Sequence, residues 1–176
     1  MQIKQVFARE ILNSKGYPTV EATVVLENGM QATSSCPTGT SVGKYEAKDL
    51  RDDDKKRYGG YGVLKAVNNI TSVIAPKIVG QDAQNQSEID KIMIGLDGTQ
   101  DKSKLGANSI LPVSMAVAKV AAKSLNLPLY SYIRSYTGIR SVPFKIPAPA
   151  FNVLNGGKHA GKNLDFQEFL IIPASS

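Results

Sequence analysis

The stretch TVEATVVLENGMQATSS, from Thr19 to Ser35, contains the strongest indication of the fold. Residues 19–26 are rich in β-branched side chains and partly alternate in polarity, which is typical of a strand. Asn28-Gly29 is the strongest short sequence for a tight hairpin turn, because both residues tolerate positive φ angles. Residues 30–35 then supply the returning strand, so the stretch predicts a β-hairpin.

A third strand is predicted on the amino-terminal side of this hairpin. Residues 3–8 alternate in a similar way, and residues 13–18 have the composition of a turn. Consecutive strands joined by short turns pair with each other in most folds. We therefore expect a three-stranded antiparallel meander at the start of the chain.

Three amphipathic helices are predicted after the meander. Apolar residues at helical spacing begin at Val63, and this first pattern is predicted to stop at Ala75-Pro76. Ser87 is a candidate N-terminal cap for the second helix, and Asn108 is a candidate cap for the third. The apolar faces are assigned to core packing, so an α+β domain is expected.

The composition changes near residue 140. A proline-rich connector leads to two short apolar runs, Phe151 to Leu154 and Phe169 to Ile172, which are typical of buried strands. We place a domain boundary there, with one domain at 1–140 and the start of another at 141–176. Because partners for these strands are missing, the segment from Ile146 onward is expected to be poorly ordered or paired with a neighbouring chain.

The overall composition excludes several classes of protein. Hydrophobic residues make up 42% and charged residues 20%, which indicates a folded globular chain. The formal charge of +6 comes from lysines and arginines scattered among acids, so no nucleic-acid surface is predicted. Cys36 is the only cysteine, and no membrane span or signal peptide is found. A cytoplasmic protein is expected.

Two loops of small and polar residues are the candidate functional segments. The first, PTGTSVG at residues 37–43, lacks the spacing of a P-loop, and a surface turn and an anion site both remain open. The second, at residues 155–163, contains His159, the only histidine of the chain. No nucleophilic triad or zinc cluster is recognised.

A carboxyl group follows the second loop. Glu168 lies between Gln167 and Phe169, at the end of a strand expected to be buried. Desolvation there would favour the neutral carboxyl that a general acid needs near neutral pH. A catalytic role for His159 and Glu168 is one interpretation; an exposed histidine and a solvent-facing strand residue are the other.

Taken in order, these segments resemble the enolase family. The resemblance runs from about residue 3 to residue 174, and its most specific stretches are residues 8–21, 37–47, 50–52, 62–70, 96–99, 104–110, 155–159 and 167–169. It implies an amino-terminal α+β domain with a three-stranded antiparallel meander and helices. The opening strands of an α/β barrel would follow, and the barrel is incomplete in this chain.

The resemblance also implies an activity, the Mg²⁺-dependent dehydration of 2-phosphoglycerate to phosphoenolpyruvate in glycolysis. Enolases are lyases of the phosphopyruvate hydratase class. Removing a proton next to a carboxylate creates a dianion, whose charge bound cations neutralise. The implied cofactor is therefore Mg²⁺.

Particular residues acquire roles from the same resemblance. Ser41 would bind the second Mg²⁺ together with the substrate phosphate, with the backbone of Thr40 close by, so that the first loop forms a lid. His159 would approach the phosphate end. Gln167 and Glu168 would lie at the leaving hydroxyl group, with Glu168 taking part in its protonation.

The resemblance also implies how the protein assembles and which catalytic residues this chain lacks. Arg9 and Glu21 match positions that face a partner subunit, which implies a homodimer. The family's catalytic lysine and its three primary metal carboxylates fall beyond Ser176, so the chain alone is expected to be inactive. A non-catalytic enolase-like interaction module is the alternative. A superfamily enzyme for another carboxylate is disfavoured, because Ser41 with His159 suits a phosphorylated substrate.

The chain departs from the usual family residues in two loops. In the turn at residues 13–18, the family usually has Asp, Arg and Asn where this chain has Asn13, Lys15 and Tyr17. In the first loop, it usually has Ser, Ala and Thr where this chain has Thr38, Thr40 and Val42. Lys15 keeps the positive charge but lacks the planar fork of a guanidinium group.

Overall fold

The computed structural model describes residues 1–39, 43–136, 143–157, 160–161 and 164–174. The chain divides into two compact units, Met1–Gly138 and Ile139–Ser176. Each unit is described by itself.

The first unit opens with the predicted meander. The strands β1 (Ile3–Leu12), β2 (Pro18–Leu26) and β3 (Gln31–Ser35) pair antiparallel in the order β1-β2-β3. Gly29 has a φ of 83° at the predicted hairpin turn. The side-chain oxygen of Asn28 accepts the amide of Met30 at 3.1 Å. The predictions of a meander and of the α+β class are confirmed.

Helices complete the first unit. They are α1 (Leu64–Asn69), α2 (Ala75–Ile78), α3 (Gln86–Asp97), α4 (Ala107–Ser124) and α5 (Leu129–Tyr136). A π-helical turn, Ile70–Ile74, joins α1 to α2. The short helix α5 was not predicted, since eight residues contain too few turns for a clear apolar period.

The predicted end of the first helical pattern at Ala75-Pro76 is wrong. The backbone continues through the π-helical turn and α2 as far as Ile78. Pro76 is the second residue of α2 and lies just after the π-helical turn. The proline therefore marks a junction between two helical segments.

The predicted helix caps are also wrong. Asn85, and not Ser87, precedes the first residue of α3. Gly106 precedes α4, which places Asn108 in the first turn of that helix, 1% exposed. The side chain of Asn108 instead binds Leu50, accepting its amide at 2.9 Å and donating to its carbonyl at 3.0 Å. Asn108 thus ties α4 to a segment 58 residues away.

The core lies between the sheet and the helices. Helix α4 packs against β2 and β3, and the side chains that share this interior are fully buried: Val20, Ala22, Val24, Leu26, Val113, Val117 and Val120. The assignment of the apolar faces to core packing is confirmed. At the edge of the sheet, Lys119 and Lys123 donate to carbonyls of β3 at 3.2 and 3.5 Å. These bonds give hydrogen-bond partners to part of the unpaired backbone of the edge strand.

Two distant carboxylates cap the amino terminus of α1. Asp52 accepts the amides of Leu64 and Lys65 at 2.9 and 2.8 Å. Glu10, from β1, accepts the amide of Val63 at 2.8 Å. Amides in the first turn of a helix have no intrahelical acceptor, and negative charge is stabilised there.

Arg57 lies between these two carboxylates. Its guanidinium group donates to both oxygens of Glu10 and lies 3.6 Å from Asp52. The hydrogen bonds from Arg57 lower the pKa of Glu10 below its ordinary value of 4.5, against the opposing effect of burial. The ion cluster therefore joins β1, residues 52–57 and α1.

The second unit contains two strands, β4 (Phe151–Asn155) and β5 (Glu168–Ile171), which pair antiparallel. The strands themselves were predicted, but their burial was not found: Phe151 is 54% exposed and Phe169 41% exposed. The two strands pair with each other along one edge. The expectation that the segment is poorly ordered or paired with a neighbouring chain stays a prediction. An apolar sequence run indicates a strand but does not specify what covers it.

Among the described residues, no single helix is both long and apolar enough to cross a bilayer, and α4 with α5 reaches that composition only as a pair bent by 108°.

Glu10→Gln is expected to lower the free energy of unfolding by about 1–3 kcal/mol at pH 7, because it removes a charge that accepts three hydrogen bonds. The folded pKa is lowered, so this contribution is complete above the unfolded pKa and is lost as the pH falls through the folded one. Urea unfolding at pH 7 and pH 3 measures the difference.

The exposed Glu27→Gln serves as the matched control and is expected to change stability little at either pH. An undiminished difference between the wild type and Glu10→Gln at pH 3 would contradict the proposed origin of the stabilisation.

Candidate functional site

Several predicted site residues fall in segments that the structure does not describe. Thr40, Ser41 and His159 lie outside the described residues. The flanks of both loops are described, as are Gln167 and Glu168. The geometry below is therefore that of the segments that flank these residues. It is given separately for each unit.

The upstream flank of the first loop is fixed to β2. The amide of Cys36 donates to the carbonyl of Val20 at 2.8 Å, and the hydroxyl of Thr19 donates to the carbonyl of Cys36 at 2.7 Å. Burial raises the pKa of the Cys36 thiol to about 12. The thiol is therefore protonated and unreactive at neutral pH, which makes it a packing residue.

The downstream flank begins with a reciprocal turn between Gly43 and Glu46. The carboxylate of Glu46 accepts the amide of Gly43 at 2.8 Å, and the amide of Glu46 donates to the carbonyl of Gly43 at 3.2 Å. Sequence reasoning missed this role of Glu46. The spacing of three residues, which resembles half of a helix capping box, was the available signal.

The same flank is then held against the loop before α4. The amide of Lys48 donates to the carbonyl of Asp101 at 2.7 Å, and the carbonyl of Lys48 accepts the amide of Ala107 at 2.7 Å. Two residues further on, Asn108 binds Leu50. Residues 48–50 are thus fixed at the start of α4.

A buried carboxylate organises the loop that receives this flank. Asp97 is 1% exposed and accepts the amides of Thr99 and Leu105 at 2.9 and 2.7 Å. Burial alone would raise the pKa of Asp97, but these hydrogen bonds outweigh it and lower that pKa below its ordinary value. The Leu96-Asp-Gly-Thr99 stretch therefore acts as a structural support.

A cavity of about 540 Å³ lies beside the first loop within the first unit. Four of the residues that differ from the usual family residues line it: Asn13, Lys15, Tyr17 and Thr38. The side-chain oxygen of Asn13 accepts the amides of Lys15 and Tyr17 at 2.9 and 3.0 Å. An amide oxygen thus fills the acceptor role that a carboxylate could fill in this turn.

The wall of this cavity is held by Arg51. Its guanidinium group donates to the carbonyls of Pro18 and Tyr61 at 2.9 and 3.1 Å and to the carboxylate of Asp49 at 3.0 Å. The ring of Tyr17 packs on that of Tyr61, with centroids 5.2 Å apart. The substituted Tyr17 is therefore accommodated by an aromatic contact.

In the second unit, a glycine pair supports Gln167 and Glu168. The amide of Gly156 donates to the carbonyl of Gln167 at 2.9 Å, and that of Gly157 donates to the carbonyl of Leu164 at 2.8 Å. A side chain at position 156 would overlap the carbonyl oxygen of Phe166. Only glycine allows this close approach of two backbones.

The structure places Gln167 just before β5 and Glu168 at its first residue, both exposed. The expected desolvation of Glu168 is not found within the described part of this chain. The solvent-facing position, which the sequence left open, is the one observed. Among the described residues, no group of three or more His, Cys, Asp and Glu side chains could hold a metal ion.

Arg9 and Glu21 lie directly opposite each other on β1 and β2. The Nε of Arg9 is 2.6 Å from a carboxylate oxygen of Glu21, and the hydroxyl of Ser35 donates to the same carboxylate at 3.4 Å. The Arg9 side chain is 71% exposed. This ion pair occupies the face of the sheet that does not pack on α4.

Comparison with known proteins confirms the resemblance. A family model described as Enolase, N-terminal domain, matches residues 3–133, and one described as Enolase, C-terminal TIM barrel domain, matches residues 143–176. Proteins named Enolase from Ehrlichia canis (strain Jake) and Ehrlichia chaffeensis (strain ATCC CRL-10679 / Arkansas) are 56% and 51% identical over 171 residues. These alignments cover 97% of this chain and 39% of each relative.

Gly156→Ala is expected to displace the residues around Gln167, because the added methyl group would overlap the Phe166 carbonyl and lie 2.6 Å from the Cβ of Leu164. In ¹H–¹⁵N NMR spectra, the amide signals of Gln167 and Glu168 should shift or broaden. Gly95→Ala, in α3 with no atom within 4 Å of the added carbon, is the control and should leave both signals in place. Unchanged signals in the Gly156 variant would disprove the close approach.

Proposed function

Because the chain belongs to the enolase family, we propose that the protein dehydrates 2-phosphoglycerate to phosphoenolpyruvate in a Mg²⁺-dependent reaction of glycolysis. Enolases are lyases, and the chain spans about 39% of the length of the curated relatives it matches. The observation that carries the proposal is the order in which the family's stretches recur along 97% of the chain. The Gly156 turn that presents Gln167 and Glu168 agrees with it.

Glu168 is proposed as an acid at the leaving group. In its neutral form it gives a proton to the substrate hydroxyl, which then departs as water. The neighbouring Gln167 hydrogen-bonds this end of the substrate without adding charge. The backbone hydrogen bond from Gly156 to Gln167 supports the role, because it holds the start of β5 in place.

The other end of the substrate is assigned to the two loops. The backbone of Thr40 and the side chain of His159 bind near the phosphate, and the hydroxyl of Ser41 serves as a ligand of Mg²⁺. Hydroxyl and phosphate oxygens are hard donors of the kind Mg²⁺ prefers. When bound, the metal neutralises the negative charge that develops on the substrate carboxylate. The remaining ligands are proposed to come from the part of the family pattern that follows Ser176.

We assign different parts of the proposed site to the two units. We propose that residues 1–140 form the amino-terminal domain, which carries the Ser41 loop, and that residues 141–176 begin the barrel, which carries His159 and Glu168. The fixed flanks at Cys36 and Lys48 support the first assignment, because they hold the Ser41 loop at both ends. A cytoplasmic location is proposed, as glycolysis requires.

A homodimer of the complete protein is proposed through the exposed face of the meander, where Arg9 and Glu21 lie. Arg9→Glu is expected to weaken association, because it places two carboxylates side by side on this face. Sedimentation velocity of the protein assembled with the remainder of a barrel, over a range of concentrations, measures the dimer fraction. Lys77→Glu makes the same change in charge on α2 and should leave the fraction unchanged. A dimer that tolerates Arg9→Glu as well as Lys77→Glu would refute the surface assignment.

Formation of phosphoenolpyruvate with Mg²⁺ tests the activity, for this chain alone and with the remainder of an enolase barrel supplied. We expect no turnover from the chain alone and turnover from the assembled protein. In that protein, Glu168→Gln should reduce kcat by about 10²–10⁴-fold, the usual range for a general acid.

Asp165→Asn, three residues before Glu168 in the segment that precedes β5, is the control and should retain activity. Turnover by the isolated chain would contradict the proposal that the remainder of the barrel supplies ligands needed for activity. No turnover in either preparation would favour a non-catalytic interaction module.

A further inference from the structure

Strand β4 contains an extra residue relative to β5. The ladder between the two strands shifts register once, and its opposed residues are Phe151 and Ile171, Asn152 and Leu170, Leu154 and Phe169, and Asn155 and Glu168. The shift lies between Asn152 and Leu154, so this is a β-bulge. Bulges occur next to active sites, where they redirect a side chain.

The bulge decides which residue lies opposite Glu168. In an uninterrupted ladder that continued from Asn152 and Leu170, Leu154 would lie opposite Glu168. The extra residue brings Asn155 to that position and pairs Leu154 with Phe169 instead. The polar pair of Asn155 with Glu168 therefore replaces a mixed pair of Leu154 with Glu168.

Directly opposed residues of an antiparallel ladder point to the same face, with Cβ atoms about 4.5–5.5 Å apart. The amide of Asn155 is thus within reach of the Glu168 carboxyl group. An asparagine side chain carries both donors and an acceptor. It can donate to an ionised carboxylate and accept from a protonated one, which suits a group that changes protonation state during a reaction.

We propose that Asn155 is a positioning residue for Glu168, and that it orients the carboxyl group toward the leaving hydroxyl of the substrate. This inference rests on the proposed function and adds a residue to the same site. The backbone hydrogen bond from Gly156 to Gln167 is adjacent to the pair and fixes its register. The other charged side chains described in this unit are Lys145 and Asp165; its remaining ionisable residues lie outside the described segments.

The strand offers a matched control for the test. Asn152 is on β4 and shares a face with Asn155, but it lies opposite Leu170. Asn155→Asp and Asn152→Asp therefore introduce the same charge on the same face at different distances from Glu168. Each variant is first compared with the wild type by ¹H–¹⁵N NMR to verify that the ladder is retained.

The direct measurement is an NMR titration of the Glu168 side-chain carbon in this chain, assigned with Glu168→Gln. A negative charge opposite Glu168 should raise its titration midpoint by about 0.5 pH unit, given the Coulomb energy of two exposed charges at this separation. Asn152→Asp should produce less than half of that shift. Equal shifts in the two variants would overturn the proposed pairing.

A kinetic measurement separates this inference from the proposed function. In the protein assembled with the remainder of a barrel, Asn155→Ala should lower kcat about tenfold with a smaller change in KM, whereas Asn152→Ala should not. Equal kcat values for the two variants in an active enzyme would refute the positioning role. An inactive wild type would refute the proposed function, and the NMR titration would still decide the pairing.

Discussion

Two partly buried hydrogen bonds between the Asn108 side chain and the Leu50 backbone are the interaction on which much of the first unit depends. They fix the segment that follows the Ser41 loop. The next two residues then reach different partners, since Arg51 binds backbone carbonyls around the cavity and Asp52 caps α1. The consecutive residues Leu50, Arg51 and Asp52 thus join α4, the cavity wall and α1. A buried amide group that bonds both backbone atoms of one residue defines a position more narrowly than apolar contact does.

The glycines of the family's stretches share a physical role that composition did not reveal. A side chain at Gly62 would overlap Asp52, and one at Gly106 would lie 2.6 Å from the Cβ of Leu50. At Gly156 it would overlap the backbone of the turn before β5. In each case another part of the chain occupies the space that a Cβ would need. From the sequence, the glycine pair after β4 indicates only a loop, whereas in the structure it is the contact that supports Glu168.

The sequence predicted the features that depend on neighbouring residues in the chain. Its predictions were wrong where a partner distant in sequence determines the structure. The meander followed from alternation and the Asn28-Gly29 turn, which are local. The caps of α3 and α4 were wrong because a favourable residue type does not show whether its side chain has a stronger partner far away in sequence, as Asn108 does. The same holds for Glu10 and Asp52, which cap α1 from remote positions. The burial expected for Glu168 needed a covering layer, which periodicity does not describe.

The state of Cys36 has a practical consequence for spectroscopy. Since the only thiol of the chain is buried and burial raises its pKa, we expect thiol-directed reagents to react slowly with it under native conditions. A single cysteine introduced at an exposed position, such as Tyr45, would then carry a fluorophore or spin label selectively. Such a label would report on the turn at Gly43 and Glu46 against an otherwise native background.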